Sequence, residues 1–392
     1  MDPVVVLQQQ ASAGIDTAAL QEEIARLAPS AQSYGYEWDG HEWDRLSLLA
    51  AALIANPEIA RARAHVASVE AEAKAARYAS GFSLGLTTEY AFNAPESSPW
   101  LLGAIGDLPL DTGTRREARI GAAELNARIA LFDYLETVWS VRLRIRQALA
   151  EYLLSGRESG LARELNELHT RTLNAMQRRL IAGAASHADI ERIRMSAAAD
   201  QQRLSEAEAR TLAAALQISA ALGIPDSELD PSALTWSAVE APRVLADGLS
   251  ANCLDAALLA RPDIARASRR YDLAEEALRS VVAAQYPALH IGPGYTWERG
   301  LNKLPFALGL SLPSLDLNHS AIAAAEALRA EAGRELEATV ASSHNSVVAA
   351  LADYHAARIK LDNSRQQTTI AQSLAMQAEA ALDAGAIDRN EW

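Results

Sequence analysis

The chain has 392 residues, 49% hydrophobic but only 5% aromatic, so its apolar content is mostly alanine and leucine and favours helix over a large aromatic core. With 36 Lys and Arg against 50 Asp and Glu, the formal net charge of −14 argues against a nucleic-acid binder held by phosphate contacts. The single cysteine, Cys253, excludes an intrachain disulfide framework, and no run of about 18 apolar residues is present to make a helical membrane span.

Residues 1–45 read as an N-terminal extension, and the opening MDPVVVLQQQASAG lacks the basic and apolar regions of a signal peptide. His41, beside Glu42 and Trp43, fits a packing or surface segment better than a catalytic one. A first structural repeat is expected over 46–245. Positions 56–79 read as helix, with Pro57 suited to its first turn and Ala, Glu, Arg and Lys filling the interior. At Gly81 the period changes to two. Phe82, Leu84, Leu86 and Tyr90 share one face of a strand at about 81–92, with Ser83, Thr87 and Glu89 on the other. A second strand is expected at about 101–109, a long helix at about 114–181 and a return helix at about 188–222.

A second repeat is expected over 246–392. Its first strand, about 286–297, alternates Leu289, Ile291, Tyr295 and Trp297 with His290, Thr296 and the following Glu298. The next, about 304–313, alternates Phe306, Leu308 and Leu310 with Ala307, Gly309 and Ser311. A long helix follows at about 320–382, with no C-terminal return helix after it. Proline-free helices of this length reach about 100 Å at 1.5 Å per residue, which points to an extended assembly and not to a compact enzyme.

The two halves are a duplication. Ala55-Asn56-Pro57-Glu58-Ile59-Ala60-Arg61-Ala62 recurs as Ala260-Arg261-Pro262-Asp263-Ile264-Ala265-Arg266-Ala267, and the offset from Pro57 to Pro262 is close to that from Pro109 to Pro313 and from Gly183 to Gly385. Four strands of roughly 9 to 12 residues have the length of tilted barrel strands, with Tyr90, Trp100, Tyr295 and Trp297 placed for an interfacial belt. Four strands cannot close a barrel in lipid by themselves, so that reading requires an oligomer. Alternation alone would also suit half-buried strands of a water-soluble α+β protein.

The order of these features resembles the outer membrane efflux protein family, the TolC-like channel-tunnels of bacterial export systems. The resemblance rests on the openings at Asn56-Pro57-Glu58-Ile59 and Arg261-Pro262-Asp263-Ile264, and on the strand-to-helix passages at Leu108-Pro109-Leu110-Asp111 and Leu312-Pro313-Ser314-Leu315. The glycine turns from Gly183 to Asp189 and from Gly385 to Glu391 complete it. It implies a mainly α fold with a small membrane β-barrel contribution, built as a homotrimer with a 12-stranded β-barrel and a periplasmic α-barrel. It further implies an outer-membrane location extending into the periplasm, with outer-membrane lipid, a periplasmic adaptor of the membrane-fusion type and an inner-membrane RND-type pump as partners. The chain would then be a passive conduit for small solutes, heavy-metal cations or drugs, and not an enzyme; the alternative is a soluble or membrane-associated helical scaffold related to the family.

Under that resemblance the barrel lumen takes Ser83, Thr87, Glu89, His290, Thr296, Glu298 and Ser311. Lipid takes Phe82, Leu84, Leu86, Tyr90, Leu289, Ile291, Tyr295, Trp297, Phe306, Leu308 and Leu310. Asp388 and Glu391 are the candidates for a periplasmic constriction, against a plainer role in helix capping. No catalytic, cofactor or metal site is expected. His187 and Glu191 lie four apart on a helix but have no third ligand nearby, the eight histidines are dispersed, and Cys253 has no Cys-x-x-Cys partner.

Overall fold

The computed structural model describes residues 2–5, 8, 14–27, 41–78, 81–92, 98–110, 114–240, 251–298, 300–312 and 316–386. Helices α1 (Thr17–Leu27), α2 (Arg45–Ala55) and α3 (Pro57–Ala76) lead to strands β1 (Ser83–Tyr90) and β2 (Trp100–Leu110). Helices α4 (Thr114–Ile181) and α5 (His187–Leu222) follow, then the short α6 (Ser237–Glu240) and α7 (Ala251–Leu259). The second half runs through α8 (Pro262–Ala283), β3 (Ala288–Glu298), β4 (Leu301–Lys303), β5 (Phe306–Ser311) and α9 (His319–Asp383).

The 68 residues of α4 make it about 100 Å long, and it is the spine of the molecule. Its near half packs between α3 and α8, its far half pairs with α5, and α8 carries α9 on its other side. It runs unbroken through Gly156 and Gly160, where an irregularity could be expected. A Cβ added at either would touch nothing, and the nearby Ser155 hydroxyl is tied to the Glu151 carbonyl at 2.6 Å.

Both long helices end in the same device. Gly183 has φ +73° and Gly385 φ +66°; the N–H of Ala184 reaches the carbonyl of Arg179, and that of Ala386 reaches Ala381, each at 2.8 Å. These are Schellman turns, in which a left-handed residue lets two N–H groups satisfy the helix's last carbonyls. In the first half Ser186 then caps α5, its hydroxyl accepting from Asp189 N–H while the Asp189 carboxylate accepts from Ser186 N–H.

The core wraps the middle of α4. Val141, Ile145 and Leu149 are buried with Leu20 and Ile24 of α1, Leu48 and Leu53 of α2, Ile59 of α3 and Ile218 and Leu222 of α5. The stretch 1–45, read from sequence as an extension, thus supplies core residues through α1. Trp43 bridges to the segment after α5, its backbone N–H donating to Ala233 O at 2.8 Å, and the guanidinium groups of Arg45 and Arg146 lie 5.0 and 5.4 Å from the Trp236 ring.

A polar seam joins the halves. Arg266 of α8 pairs with Asp133 at 2.9 Å and with Glu136 of α4, while Arg270 and Glu335 pair at 2.9 Å between α8 and α9. At the start of α8, Arg261 grips Asp263 through two bonds of 3.0 and 2.8 Å, and the same carboxylate accepts from the N–H of Ile264 and the hydroxyl of Ser343. The Arg261 bonds hold the Asp263 carboxyl below its ordinary range, against the opposing effect of partial burial.

A depressed folded-state pKa gives stability that is fully present above the unfolded value of about 3.9 and is lost as pH falls through the folded value. The thermal midpoint should therefore fall as the pH drops below about 4. Asp263→Asn should lower the midpoint at neutral pH and make the acid decline shallower, which a pH series of helix melting curves measures. Equal acid slopes in both proteins would contradict this assignment.

Candidate functional site

The sheet is antiparallel, in the order β1, β2, β3, with β4 and β5 both on the far side of β3. Thr296 faces Lys303 and Gly292 faces Ala307 in one continuous register, so β4 and β5 are two pieces of a single edge strand. The sequence reading placed one strand at about 304–313; the observed strand starts at Leu301 and is interrupted at Leu304 and Pro305. The cause is proline. Gly294 N–H donates to Pro305 O at 2.8 Å, and the return bond of that pair cannot form because Pro305 has no N–H.

Residues paired across an antiparallel ladder point to the same side. The registers therefore put Ser83, Thr87 and Glu89 on one face with Leu101, Gly103, Ile105 and Asp107, and continue it through His290, Thr296 and Glu298 to Lys303, Ala307 and Ser311. The opposite face holds Leu84, Leu86 and Tyr90, then Trp100, Leu102 and Leu108, then Leu289, Ile291, Tyr295 and Trp297, then Phe306, Leu308 and Leu310. Phe82, just before β1, lies against Gly106 on that apolar face. All seven small or polar candidates from the sequence fall on one face, and all eleven apolar candidates fall on the other. Many of the latter stand in the open, Leu86 at 79% and Leu308 at 66% exposure.

The contacts agree with the registers. Gly103 sits between Thr87 and Thr296, where a Cβ would come within 3.3 Å of the Thr296 hydroxyl. His290 Nδ1 lies 3.2 Å from Asp107 Oδ1 and its Nε2 lies 3.3 Å from Ser311 Oγ, while Lys303 pairs with Glu298. On the apolar face, Tyr90 meets Trp100 edge to face at 4.8 Å, and Tyr295 donates to Asn302 Oδ1 at 2.7 Å. These aromatic rings gather at the end of the sheet away from the helices.

Sequence reasoning passed over Gly103, Asp107 and Lys303. The signal for Lys303 was its spacing from Glu298; β2 has no clean alternation, because Leu101 and Ile105 share the small-residue face.

The remaining sequence candidates scatter. Asp388 and Glu391 lie outside the described residues, as does the side chain of Cys253. His187 opens α5 and Glu191 pairs with Arg194 at 2.6 Å. No group of three metal-ligating side chains occurs among the described residues, and no described helix is long and apolar enough to cross a membrane.

The family model described as outer membrane efflux protein matches residues 48–224 and 253–392. A crystal structure of CusC, described with conformational changes accompanying folding and transmembrane channel formation, is 17% identical with a TM-score of 0.72, covering 90% of this chain and 85% of that one. A membrane protein from Pseudomonas aeruginosa is 17% identical with a TM-score of 0.72, over 88% of this chain and 84% of its own. The outer membrane protein VceC from Vibrio cholerae is 16% identical with a TM-score of 0.70, over 87% of this chain and 86% of its own. No curated protein matches the chain significantly.

Proposed function

The chain belongs to the outer membrane efflux protein family, whose members are passive conduits of export systems and not enzymes, and we propose that three copies close into one channel. The open edges of the sheet carry this reading. Since odd-numbered residues of β4 and β5 bond inward to β3, the N–H and C=O groups of Asn302, Leu304, Phe306, Leu308 and Leu310 point outward. By the same alternation those of Leu84, Leu86, Thr88 and Tyr90 point outward from β1. Unpaired backbone groups are not tolerated in hydrocarbon, so each edge needs a neighbour.

Successive strands alternate in direction across four positions, so the last edge of one copy runs antiparallel to β1 of the next, and three copies give twelve strands. Ten residue steps from Trp100 to Leu110, at about 3.3 Å each and tilted by about 40°, span about 25 Å, the height of an outer-membrane apolar band. In that barrel the face of Ser83, Thr87, Glu89, His290, Thr296, Glu298 and Ser311 lines the lumen, and the Leu86 and Leu308 face meets lipid. Leu131, Leu135, Trp139 and Leu143 make an exposed stripe at four-residue spacing on α4, which suits burial against a neighbouring copy in a helical barrel.

The helical part extends into the periplasm toward an adaptor and an inner-membrane RND-type pump, which supplies the energy. Asp388 and Glu391 form the constriction at that end, each made a ring of three by symmetry. The cargo is a small solute, a heavy-metal cation or a drug.

The test replaces Cys253 with Ser and introduces Thr87→Cys or Leu86→Cys. The purified protein should run as a trimer in detergent and open ion-conducting pores in planar bilayers. A charged, water-soluble thiol reagent should reduce conductance in the Thr87→Cys protein and leave the Leu86→Cys protein unchanged. A monomer without pores would favour the scaffold reading, and block at Leu86 would reverse the faces.

A further inference from the structure

Below the sheet, where the helices begin, arginines gather around Glu117 in the first turn of α4. The chain carries a net charge of −14, yet Arg115, Arg116 and Arg119 lie within the first turns of α4, beside Arg77 at the end of α3. Their placement is fixed by backbone carbonyls. Arg115 Nε donates to Ala283 O at 3.1 Å, and its Nη2 reaches Tyr286 O beyond the end of α8. Arg116 Nη2 donates to Arg77 O at 3.0 Å and Arg119 Nη2 to Tyr78 O at 3.4 Å. Arg77 in turn pairs with Glu124 at 2.8 Å. The guanidinium groups of Arg115, Arg116 and Arg119 thus hold carbonyls at and just beyond the ends of α3 and α8, and with Arg77 they form a collar at one level.

Two further observations bear on what the collar meets. Tyr78 is 77% exposed and Tyr286 70% exposed at the same level, a few residues before β1 and β3 begin, and the carbonyl of each is held by one of these arginines. Between α4 and α8 a groove of about 600 Å³ opens beside Arg115 and Arg119, with alanines on its floor and Glu276 on its wall. Tyrosine rings with arginines at the edge of an apolar band are the side chains that sit at a membrane interface, and the guanidinium fork matches a phosphate.

We propose that this collar binds the phosphate groups of anionic phospholipids in the leaflet facing the helices, and so fixes the depth of the barrel in the membrane. The proposal rests on the barrel reading above. The tyrosines sit among the glycerol groups, the acyl chains run up the Leu84 and Phe306 face, and the headgroups lie over the arginines. Attraction of a basic side chain to an anionic surface is worth roughly fivefold in affinity per charge and is screened within a Debye length.

The experiment uses the full chain as its trimer in nanodiscs of phosphatidylcholine alone or with phosphatidylglycerol, followed by mild detergent extraction and native mass spectrometry of retained lipid. Phosphatidylglycerol should be retained over phosphatidylcholine by about fivefold or more, and the preference should shrink at 0.5 M salt. The double variant R116Q/R119Q, which leaves Arg115 and Arg77 in place, should cut the ratio severalfold, while R116K/R119K should keep most of it. Equal retention of the two lipids by the unaltered protein would overturn the proposal, as would an undiminished preference in the Gln variant. Loss of the trimer in phosphatidylcholine discs on the Gln change alone would also overturn it, by assigning the collar to a contact between copies. A chain that enters neither disc and forms no trimer defeats the barrel reading itself, a result distinct from these.

Discussion

Leu308→Pro should abolish the trimer while leaving the fold of each copy in place. Leu308 lies in the edge strand opposite Ile291, and its backbone N–H points away from β3. Proline there removes no bond within the copy's own ladder, and its φ suits an extended strand. It does remove one donor from the edge that pairs with the next copy in the proposed trimer, and its ring occupies the space that the neighbouring strand would need. In lipid each orphaned partner costs several kcal/mol, and threefold symmetry repeats the fault at all three junctions. Pro305 is the natural contrast, because its missing N–H faces inward to Gly294 and leaves the outer edge whole. Crosslinking or native electrophoresis in detergent should show the trimer falling below about a tenth of the protein, with the helical circular dichroism retained. Leu308→Val should assemble normally. A stable Leu308→Pro trimer would mean that this edge is not where copies meet.

The strand faces were legible because their chemistry is nearly binary. In β1 and β3 apolar side chains alternate with small or polar ones, with Thr88 the one polar residue on the apolar face of β1, so register had only to align patterns already visible. The same rule failed at β2, where Leu101 and Ile105 stand on the small-residue face beside Gly103 and Asp107. The interruption at Pro305 was missed for a related reason: proline lies on the small-residue face as a side chain, and only the ladder shows which way its backbone would have donated. Long helices were announced by the absence of proline, but the contribution of α1 to the core was not. Leu20 and Ile24 carry too little pattern in an eleven-residue helix to identify the distant partners on α4 that bury them. The side-chain clamp of the arginine collar was equally hidden, since Arg115 bonds to carbonyls 168 and 171 residues away.

Asn56 should prove the most sensitive polar residue of the helical part. It is 2% exposed, and its single side chain serves two helix ends. Oδ1 accepts from the N–H groups of Glu58 and Ile59 at 2.8 and 3.0 Å, capping α3. Nδ2 donates at 2.7 Å to the carbonyl of Ala221 in the last turn of α5, 165 residues away. Gly223, with φ +78°, ends α5 directly against Pro57, where an added Cβ would lie 2.6 Å from the proline ring. Asn56→Ala removes both interactions of this buried side chain and should lose about 1 kcal/mol for the cap and about 1–3 kcal/mol for the buried carbonyl. For a protein of 392 residues the helix melting midpoint should fall by roughly 2–5 °C.

Asn56→Asp separates the two contributions. It keeps the acceptor for α3, but at neutral pH it sets a buried carboxylate against the Ala221 carbonyl. Burial and that carbonyl raise the folded pKa of the new acid, so the deficit should be largest near pH 7 and shrink as the pH falls and the carboxyl becomes a donor. A deficit independent of pH would show that the bond to Ala221 contributes little and that capping alone explains Asn56. The second half of the chain argues for the dual role, because Arg261 occupies the equivalent place and makes no side-chain cap, leaving Asp263 to accept from Ile264. In the first half a helix C-terminus lies against the opening of the repeat, and both polar atoms of Asn56 are used there.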